Sequence, residues 1–131
     1  MIHLNRPRIL VVDDDEPVLK ACVRVLGEIS GVEIVQKKTS VQAARLLSSE
    51  SFDLLISDIR MPGLSGLDLL EIAHDLDPDL PVILITGFGP PETQKGSVAL
   101  GASACLMKPI CPDELISITK EALRSRRKAT P

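Results

Sequence analysis

Short apolar segments alternate with longer amphipathic segments along the chain, and the alternation occurs five times. The apolar segments have the length and aliphatic composition of buried strands, and they lie at residues 8–12, 32–35, 52–57, 81–86 and 104–107. Each segment that follows repeats its apolar residues at helical spacing, most weakly in residues 92–100. Strands that alternate with helices predict an α/β fold, in which helices cover both faces of a parallel sheet.

Capping residues and chain breakers mark where these helices begin and end. Acidic residues and Pro17 open the first helix, and Thr39 or Ser40 can cap the second. Residues 67–76 form the third predicted helix, and Pro112 opens the last. Right-handed crossovers leave few arrangements of five parallel strands. We therefore expect a flavodoxin-like, doubly wound sheet with strand order 2-1-3-4-5 and a crevice beside strands one and three.

Polar side chains stand where four of the predicted strands end. Asp13 and Asp14 follow the first strand, and Asp58 follows the third. Thr86 ends the fourth strand, and Lys108 follows the fifth. Ligands bind outside the carboxyl ends of the strands in open α/β sheets, so we expect these residues to form a site. Strands one and three are neighbours in the predicted order, and the three carboxylates should therefore converge.

A cluster of three carboxylates requires a cation. Two carboxylates about 4 Å apart repel each other by roughly 4 kcal/mol at an effective dielectric of about 20. The donors are all oxygen atoms, which favours Mg²⁺, and Lys108 supplies a further positive charge that can pair with Asp58. A divalent ion beside an ammonium group suits phosphoryl chemistry, in which a carboxylate can be the nucleophile and the Thr86 hydroxyl can hold a phosphate oxygen.

Each of these residues also has a simpler structural explanation. The acids at 13–15 can cap a helix, and Asp58 can form a turn. Thr86 can merely end a strand, and Lys108 can lie in solvent. The structural explanation needs all four to coincide at one edge of one sheet, so we favour a functional site.

Composition narrows the class of protein. A chain of 131 residues that is 44% hydrophobic and 25% charged suits a single globular domain. Its net charge of −3 argues against direct contact with nucleic acid, and no apolar run approaches the roughly 18 residues of a membrane span. The three cysteines lack the spacing of metal ligands, so we expect reduced, mostly buried thiols in a cytoplasmic protein.

Taken together, these motifs resemble the receiver domain of bacterial two-component response regulators. The resemblance covers residues 8–123 and rests on five segments, 9–17 (ILVVDDDEP), 57–63 (SDIRMPG), 85–87 (ITG), 101–102 (GA) and 108–109 (KP). It implies a receiver domain over residues 1–123, followed by a basic tail or linker at 124–131. It also implies a signalling phosphoacceptor, and not an enzyme that turns over a separate substrate.

The resemblance implies a role for each site residue. Asp58 corresponds to the phosphoacceptor, Thr86 to the switch hydroxyl and Lys108 to the lysine that contacts the phosphoryl group. The peptide bond before Pro109 should be cis. The donor would be a phosphohistidine on a histidine kinase or phosphotransfer protein, and the last helices could pair two copies of the chain.

The resemblance also implies a set of Mg²⁺ ligands. Asp13 and Asp14 correspond to the acid pair that holds the ion, although Asp15 could replace one of them. Asp58 and the backbone carbonyl of Arg60 complete the set.

One departure from the family concerns the output of the switch. Receivers usually carry Tyr or Phe three residues before the lysine, preceded by Asp, whereas this chain has Cys105 preceded by Ala104. Phosphorylation does not need that ring, but the path by which the signal leaves the domain changes. The weak helix at 92–100 is expected to carry more of it.

Two other functions fit part of the pattern. A haloacid-dehalogenase-like phosphatase also uses Asp, Mg²⁺, Thr or Ser, and Lys, but its motif has Thr or Val where this chain has Pro17 after Asp13 and Asp15. A receiver-shaped interaction module that is never phosphorylated would explain the missing aromatic residue but not the complete acidic set. Steady turnover of a phosphate ester would favour the first, and failure of phosphodonors to label the chain would favour the second.

Overall fold

Five parallel strands form one sheet in the order β2-β1-β3-β4-β5 in the computed structural model, which describes residues 6–87 and 96–129. The strands are β1 Arg8–Val12, β2 Glu33–Lys37, β3 Leu54–Asp58, β4 Val82–Thr86 and β5 Ala104–Met107. The helices are α1 Glu16–Leu26, α2 Ser40–Ser49, α3 Gly66–Leu76 and the C-terminal helix, Pro112–Ala129. The predicted fold class and strand order are confirmed.

Three strands differ from their predicted bounds, and in β4 the difference is only that it begins at Val82 and not at Pro81. β2 continues to Lys37, two residues beyond its predicted end, because it pairs with β1 as far as Val12. β3 begins at Leu54, so Asp53 precedes it, and the Asp53 side chain accepts a hydrogen bond from the Arg8 N–H at 2.8 Å. Asp58 is the last residue of β3 and does not follow it. The acid therefore projects from the end of the ladder itself.

α2 begins at one of its two predicted caps, whereas α3 begins at Gly66, one residue before its predicted start, with Ser65 as its cap. Thr39 caps α2, since its hydroxyl accepts a hydrogen bond from the Gln42 N–H at 3.2 Å. Residues 92–95 of the predicted helix at 92–100 lie outside the described residues, and residues 96–99 are helical. The C-terminal helix continues to Ala129, so the segment predicted as a basic tail is helical as far as that residue. Among the described helices, none is long and apolar enough to cross a membrane.

Alternate residues of the strands face two separate apolar layers. α1 and the C-terminal helix cover one face, where Ile9, Ile56 and Leu115 are fully buried. α2 and α3 cover the other face, where Leu55 and Leu69 are fully buried. Burial of one such side chain stabilises the fold by about 1.5–3 kcal/mol. Because both faces are covered, β3 and β4 are buried along their whole length, as is usual in parallel sheets.

The three cysteines are free and lie at three different depths. Cys22 is buried, and burial raises the pKa of its thiol to about 11. Cys105 is half-buried, and Cys111 is exposed. The prediction of mostly buried thiols is therefore wrong, because Cys111 lies at the surface where the C-terminal helix begins.

Arg126 fastens the C-terminal helix to the amino edge of the sheet. Its guanidinium donates to Asp77 Oδ2 at 2.5 Å and to the Phe52 carbonyl at 3.5 Å. Asp77 is the C-cap of α3, and Phe52 lies just before β3. The hydrogen bond from Arg126 lowers the pKa of the Asp77 carboxyl below its usual value. One side chain thus joins three elements.

We expect Asp77→Asn to lower the free energy of unfolding by about 0.5–1 kcal/mol at neutral pH, the usual contribution of a partly exposed ion pair. Asn keeps an oxygen for the Asp79 N–H, so the charge and the Arg126 hydrogen bond to Oδ2 are what is lost. Folding lowers the pKa of Asp77. Its stabilisation is therefore present above the unfolded-state pKa of about 3.9 and disappears as pH falls through the lower folded-state value.

Urea denaturation at neutral and acidic pH measures this effect. Asp75→Asn, an exposed change on the same helix, is the control and should change stability little. A loss in Asp77→Asn that is the same at both pH values would contradict the ion-pair assignment.

Candidate functional site

Three carboxylates meet at the carboxyl edge of the sheet. β1 and β3 are paired neighbours, and Asp13 follows β1 while Asp58 ends β3. Asp13, Asp14 and Asp58 each bring one carboxylate oxygen within 4.8 Å of the others. Asp13 and Asp58 are buried, whereas Asp14 is exposed. The predicted convergence of these acids is confirmed, and the exposed Asp14 leaves the cluster open to solvent.

Lys108 reaches the acids from the far side of the sheet. It follows β5, which β4 separates from β3. Its Nζ lies 3.3 Å from Asp13 Oδ2 and 3.3 Å from Asp58 Oδ2, and it donates a hydrogen bond to the second. Its stem passes Gly87, where a Cβ would lie 3.4 Å from Lys108 Cδ. The predicted pairing with Asp58 and the predicted cis bond before Pro109 are confirmed.

The electrostatics of the site are dominated by negative charge. Burial raises the pKa of Asp13 above its usual value, and the nearby Asp58 raises it further. Burial alone would lower the pKa of Lys108, but the two carboxylates raise it, so the ammonium stays charged. Asp13 Oδ2 is buried and, among the described residues, has no donor apart from the Lys108 ammonium at 3.3 Å. A buried carboxylate oxygen therefore lacks a full set of partners.

These features fit a divalent metal ion. Three carboxylates and one ammonium leave a net charge of −2 at the site. A buried oxygen of Asp13 can accept a further positively charged partner. Oxygen donors at a solvent-open edge suit Mg²⁺, which keeps several of its water ligands. Asp13, Asp14 and Asp58 are the residues that could hold it.

Thr86 and Arg60 lie at the same edge of the sheet. Thr86 is buried and ends β4, the strand on which Ile85 pairs with Asp58. Arg60 is exposed and follows Asp58 by two residues. The roles predicted for the Thr86 hydroxyl and for the Arg60 carbonyl stay predictions.

Two residues support the acids in ways that sequence reasoning missed. Asp15 caps α1 with its side chain, and its N–H donates to Asp13 Oδ1 at 2.9 Å. Asp15 therefore supports Asp13 and stands outside the cluster. Gly66 begins α3 directly against β3, where a Cβ would lie 2.3 Å from the Asp58 carbonyl oxygen. The Gly- and Pro-rich composition of this segment indicates a loop, but it does not reveal which glycine touches the strand.

Cys105 occupies the position at which the resemblance places an aromatic residue. It is half-buried, and its thiol hydrogen-bonds with the side chain of Ser97. Ser97 is buried within the helical residues 96–99. Burial is the main reason that the pKa of this thiol is raised. A contact between β5 and the helical segment thus stands where a ring would otherwise pack.

Comparison with known proteins agrees with this geometry. The family model of the response regulator receiver domain matches residues 9–120. The chain is 36% identical over 121 residues to the C4-dicarboxylate transport transcriptional regulatory protein DctD of Rhizobium meliloti, across 92% of this chain and 26% of that protein. It is 35% identical to the two-component response regulator ARR14 of Arabidopsis thaliana, across 91% of this chain and 31% of that protein.

A solved structure is similar over nearly its full length. The crystal structure of a CheY-like response regulator receiver domain protein from Methanospirillum hungatei matches with a TM-score of 0.86 and 35% identity. The match covers 95% of this chain and 99% of that chain. The chain thus spans less than a third of the two curated relatives but almost all of this receiver structure.

We expect Gly66→Ala to lower the free energy of unfolding by about 1–3 kcal/mol, the usual cost of overpacking. The new methyl group would meet backbone atoms of Asp58 and Ile59, which cannot move aside as the end of a side chain can. Gly96→Ala is the matched control, because a Cβ there meets nothing within 4 Å, and helix propensity should leave its stability equal or slightly higher. Urea denaturation of both variants measures the difference, and equal stabilities would contradict the close contact.

Without Mg²⁺, we expect Asp13→Asn to raise the free energy of unfolding by about 0.5–2 kcal/mol at neutral pH, the usual gain when an unfavourable charge is removed. Folding raises the pKa of Asp13, so its ionised form opposes folding at neutral pH. This penalty shrinks as pH falls through the folded-state pKa toward the unfolded-state value. Asn keeps the oxygen that accepts from the Asp15 N–H.

Denaturation of Asp13→Asn with and without Mg²⁺ tests both the charge and the metal. Mg²⁺ should stabilise the wild-type chain more than the variant, because ligand binding to the folded state shifts the equilibrium by mass action. A metal-free variant that is less stable than the wild type would contradict the electrostatic argument.

Proposed function

Because this chain belongs to the family of response regulator receiver domains, we propose that Asp58 is the residue on which it accepts a phosphoryl group. One observation carries the proposal. Asp58 is buried at the end of β3, one of its oxygens lies 3.3 Å from the Lys108 ammonium, and it clusters with Asp13 and Asp14. A carboxylate nucleophile that faces a phosphate needs such compensating charge close by.

The proposed donor is a phosphohistidine on a histidine kinase or a phosphotransfer protein. Asp58 Oδ1 forms the new O–P bond, since Oδ2 is held by Lys108. The P–N bond of the donor breaks, and its electron pair returns to the imidazole nitrogen. The histidine leaves, and an acyl phosphate remains on Asp58. The protein contributes mainly position and charge, as in other phosphoryl transfers.

Positive charge around the phosphoryl oxygens would lower the barrier to transfer. Lys108 supplies one such charge directly. Four oxygen donors would hold Mg²⁺: the carboxylates of Asp13, Asp14 and Asp58 and the carbonyl of Arg60. When bound, the ion would offset the negative charge of the phosphoryl oxygens. The Thr86 hydroxyl would then donate a hydrogen bond to one of these oxygens.

The acyl phosphate would switch the surface of the domain. It adds about two negative charges to the site, and Thr86 and Lys108 would move to meet them. The contact between Cys105 and Ser97 links β5 to the helical residues 96–99. We therefore assign the output surface to this region and to the C-terminal helix, which could also pair two copies of the chain.

The proposed function applies to the receiver and not to a whole regulator. We assign residues 1–123 to the receiver unit and residues 124–131 to a basic extension of it, whose helical part is held against the sheet by Arg126. With a net charge of −3, the receiver itself would make no direct contact with nucleic acid. It would act in the cytoplasm, with no chemistry beyond its own phosphorylation and slow hydrolysis.

The two alternative functions place different demands on the same residues. In a dehalogenase-like phosphatase, Asp13 and Asp15 would act together, but Asp15 caps α1 instead. In an interaction module, the acids would have no chemical role. The main argument for that function is Cys105, which stands where receivers usually carry Tyr or Phe. The labelling experiment separates all three functions.

Intact-mass measurement after incubation with Mg²⁺ and acetyl phosphate tests the proposal. We expect the wild-type chain to gain one phosphoryl group and Asp58→Asn to gain none. Asp53→Asn, which changes the carboxylate just before the opposite end of β3, should be labelled like the wild type. No gain on a folded wild-type chain would favour the interaction module. Continuous hydrolysis of a phosphate ester would favour the phosphatase.

A further inference from the structure

Ser40 ties α2 to the loop that follows Asp58. It is 1% exposed. Its hydroxyl donates a hydrogen bond to the Pro62 carbonyl at 3.2 Å and accepts one from the Leu64 N–H at 3.0 Å. These two partners flank Gly63, whose φ of 81° is left-handed. One hydroxyl therefore closes the turn at the far end of the loop.

The near end of the same loop is closed directly beside Asp58. The Gly66 N–H donates to the Ile59 carbonyl at 2.8 Å, and the Ile59 N–H donates to the Ile85 carbonyl at 2.8 Å. Gly66 also lies so close to the Asp58 carbonyl that no Cβ fits between them. With both ends held, the backbone between them, including Arg60, has little freedom to move.

The capping of α2 leaves Ser40 available for this contact. Thr39 supplies the N-cap oxygen, so Ser40, the first residue of the helix, can direct its hydroxyl to the loop. A Cβ on Gly63 would lie 3.5 Å from Ser40 Oγ, which is an ordinary contact distance. Alanine at position 40 would fit, but it would deprive the Pro62 carbonyl and the Leu64 N–H of their partner.

We propose that Ser40 is a positioning residue for the metal and phosphoryl site, an inference that rests on the proposed function. Arg60 lies two residues before Pro62, a chain distance of at most about 7 Å. The hydroxyl that holds the Pro62 carbonyl therefore also limits where the Arg60 carbonyl and the Asp58 carboxylate lie. Loss of a partner bonded directly to a metal ligand weakens a metal site by about 10- to 100-fold, and Ser40, which acts two residues away from Arg60, should lie at the lower end of that range.

Ser40→Ala and Ser48→Ala form a matched pair in one helix. Ser48 is exposed and donates to the Ala44 carbonyl of α2 at 3.1 Å. Titration calorimetry of the unphosphorylated chains should show Mg²⁺ bound about tenfold more weakly by Ser40→Ala, and with wild-type affinity by Ser48→Ala. Amide hydrogen exchange at Leu64 should be faster in Ser40→Ala alone. Labelling of that variant by acetyl phosphate should be slow at low Mg²⁺ and approach the wild-type rate at saturation.

An unchanged Mg²⁺ affinity in Ser40→Ala would overturn the proposal even if exchange at Leu64 rises, because Ser40 would then only anchor the loop. A wild-type chain that binds no Mg²⁺ would overturn it as well. Ser40→Cys is slightly larger and keeps a weak donor and a weak acceptor in place of the hydroxyl, so it weakens both hydrogen bonds without removing them. It should bind Mg²⁺ with intermediate affinity, and it decides the matter if Ser40→Ala does not fold.

The experiment also separates this proposal from the proposed function. If Ser40→Ala binds Mg²⁺ more weakly but the wild-type chain gains no phosphoryl group, phosphorylation is refuted and the role of Ser40 in metal binding is supported. If the wild-type chain is phosphorylated but Ser40→Ala binds Mg²⁺ with wild-type affinity, the proposed function stands and the role of Ser40 is refuted.

Discussion

The repulsion between Asp13 and Asp58, two buried carboxylates at adjacent strand ends, is the interaction to which the rest of the site is adjusted. Two such charges about 4 Å apart cost roughly 4 kcal/mol at an effective dielectric of about 20. That is a large share of the 5–15 kcal/mol by which a typical domain is stable. Lys108 offsets part of this cost. Gly87 has no side chain, which leaves room for the aliphatic part of Lys108 on its way to the two acids.

The aliphatic core makes this arrangement sustainable. Apolar side chains on both faces of β3 and β4 fix the register of the strands that carry Asp58 and Thr86. A slip of one residue would turn every apolar side chain to the opposite face, so the strand ends cannot drift apart to relieve the repulsion. The function of the edge is thus supported by residues that take no part in its chemistry.

The sheet and its acidic edge could be predicted from the sequence because both follow from local pattern, the strand period and the residues at which the strands stop. Contacts between distant elements could not be predicted in the same way. Thr39 and Ser40 are both good capping residues, and the choice between them depends on the loop 22 residues further on. The sequence does not distinguish Gly66 from other loop glycines, because its contact with β3 forms only in the folded chain. It also does not show that Cys111 lies at the surface, where the C-terminal helix begins.

The three free thiols differ in exposure, so their reaction with a thiol reagent can report which parts of the fold open. The chain has no Trp or Tyr, so its own fluorescence reports little. Cys111 is exposed to a thiol reagent, whereas Cys105 is half-buried and hydrogen-bonds with Ser97. Cys22 becomes accessible only when α1 separates from the sheet. The order in which the three thiols are modified would therefore report the opening of the surface, of the region around β5 and of the core, without any introduced label.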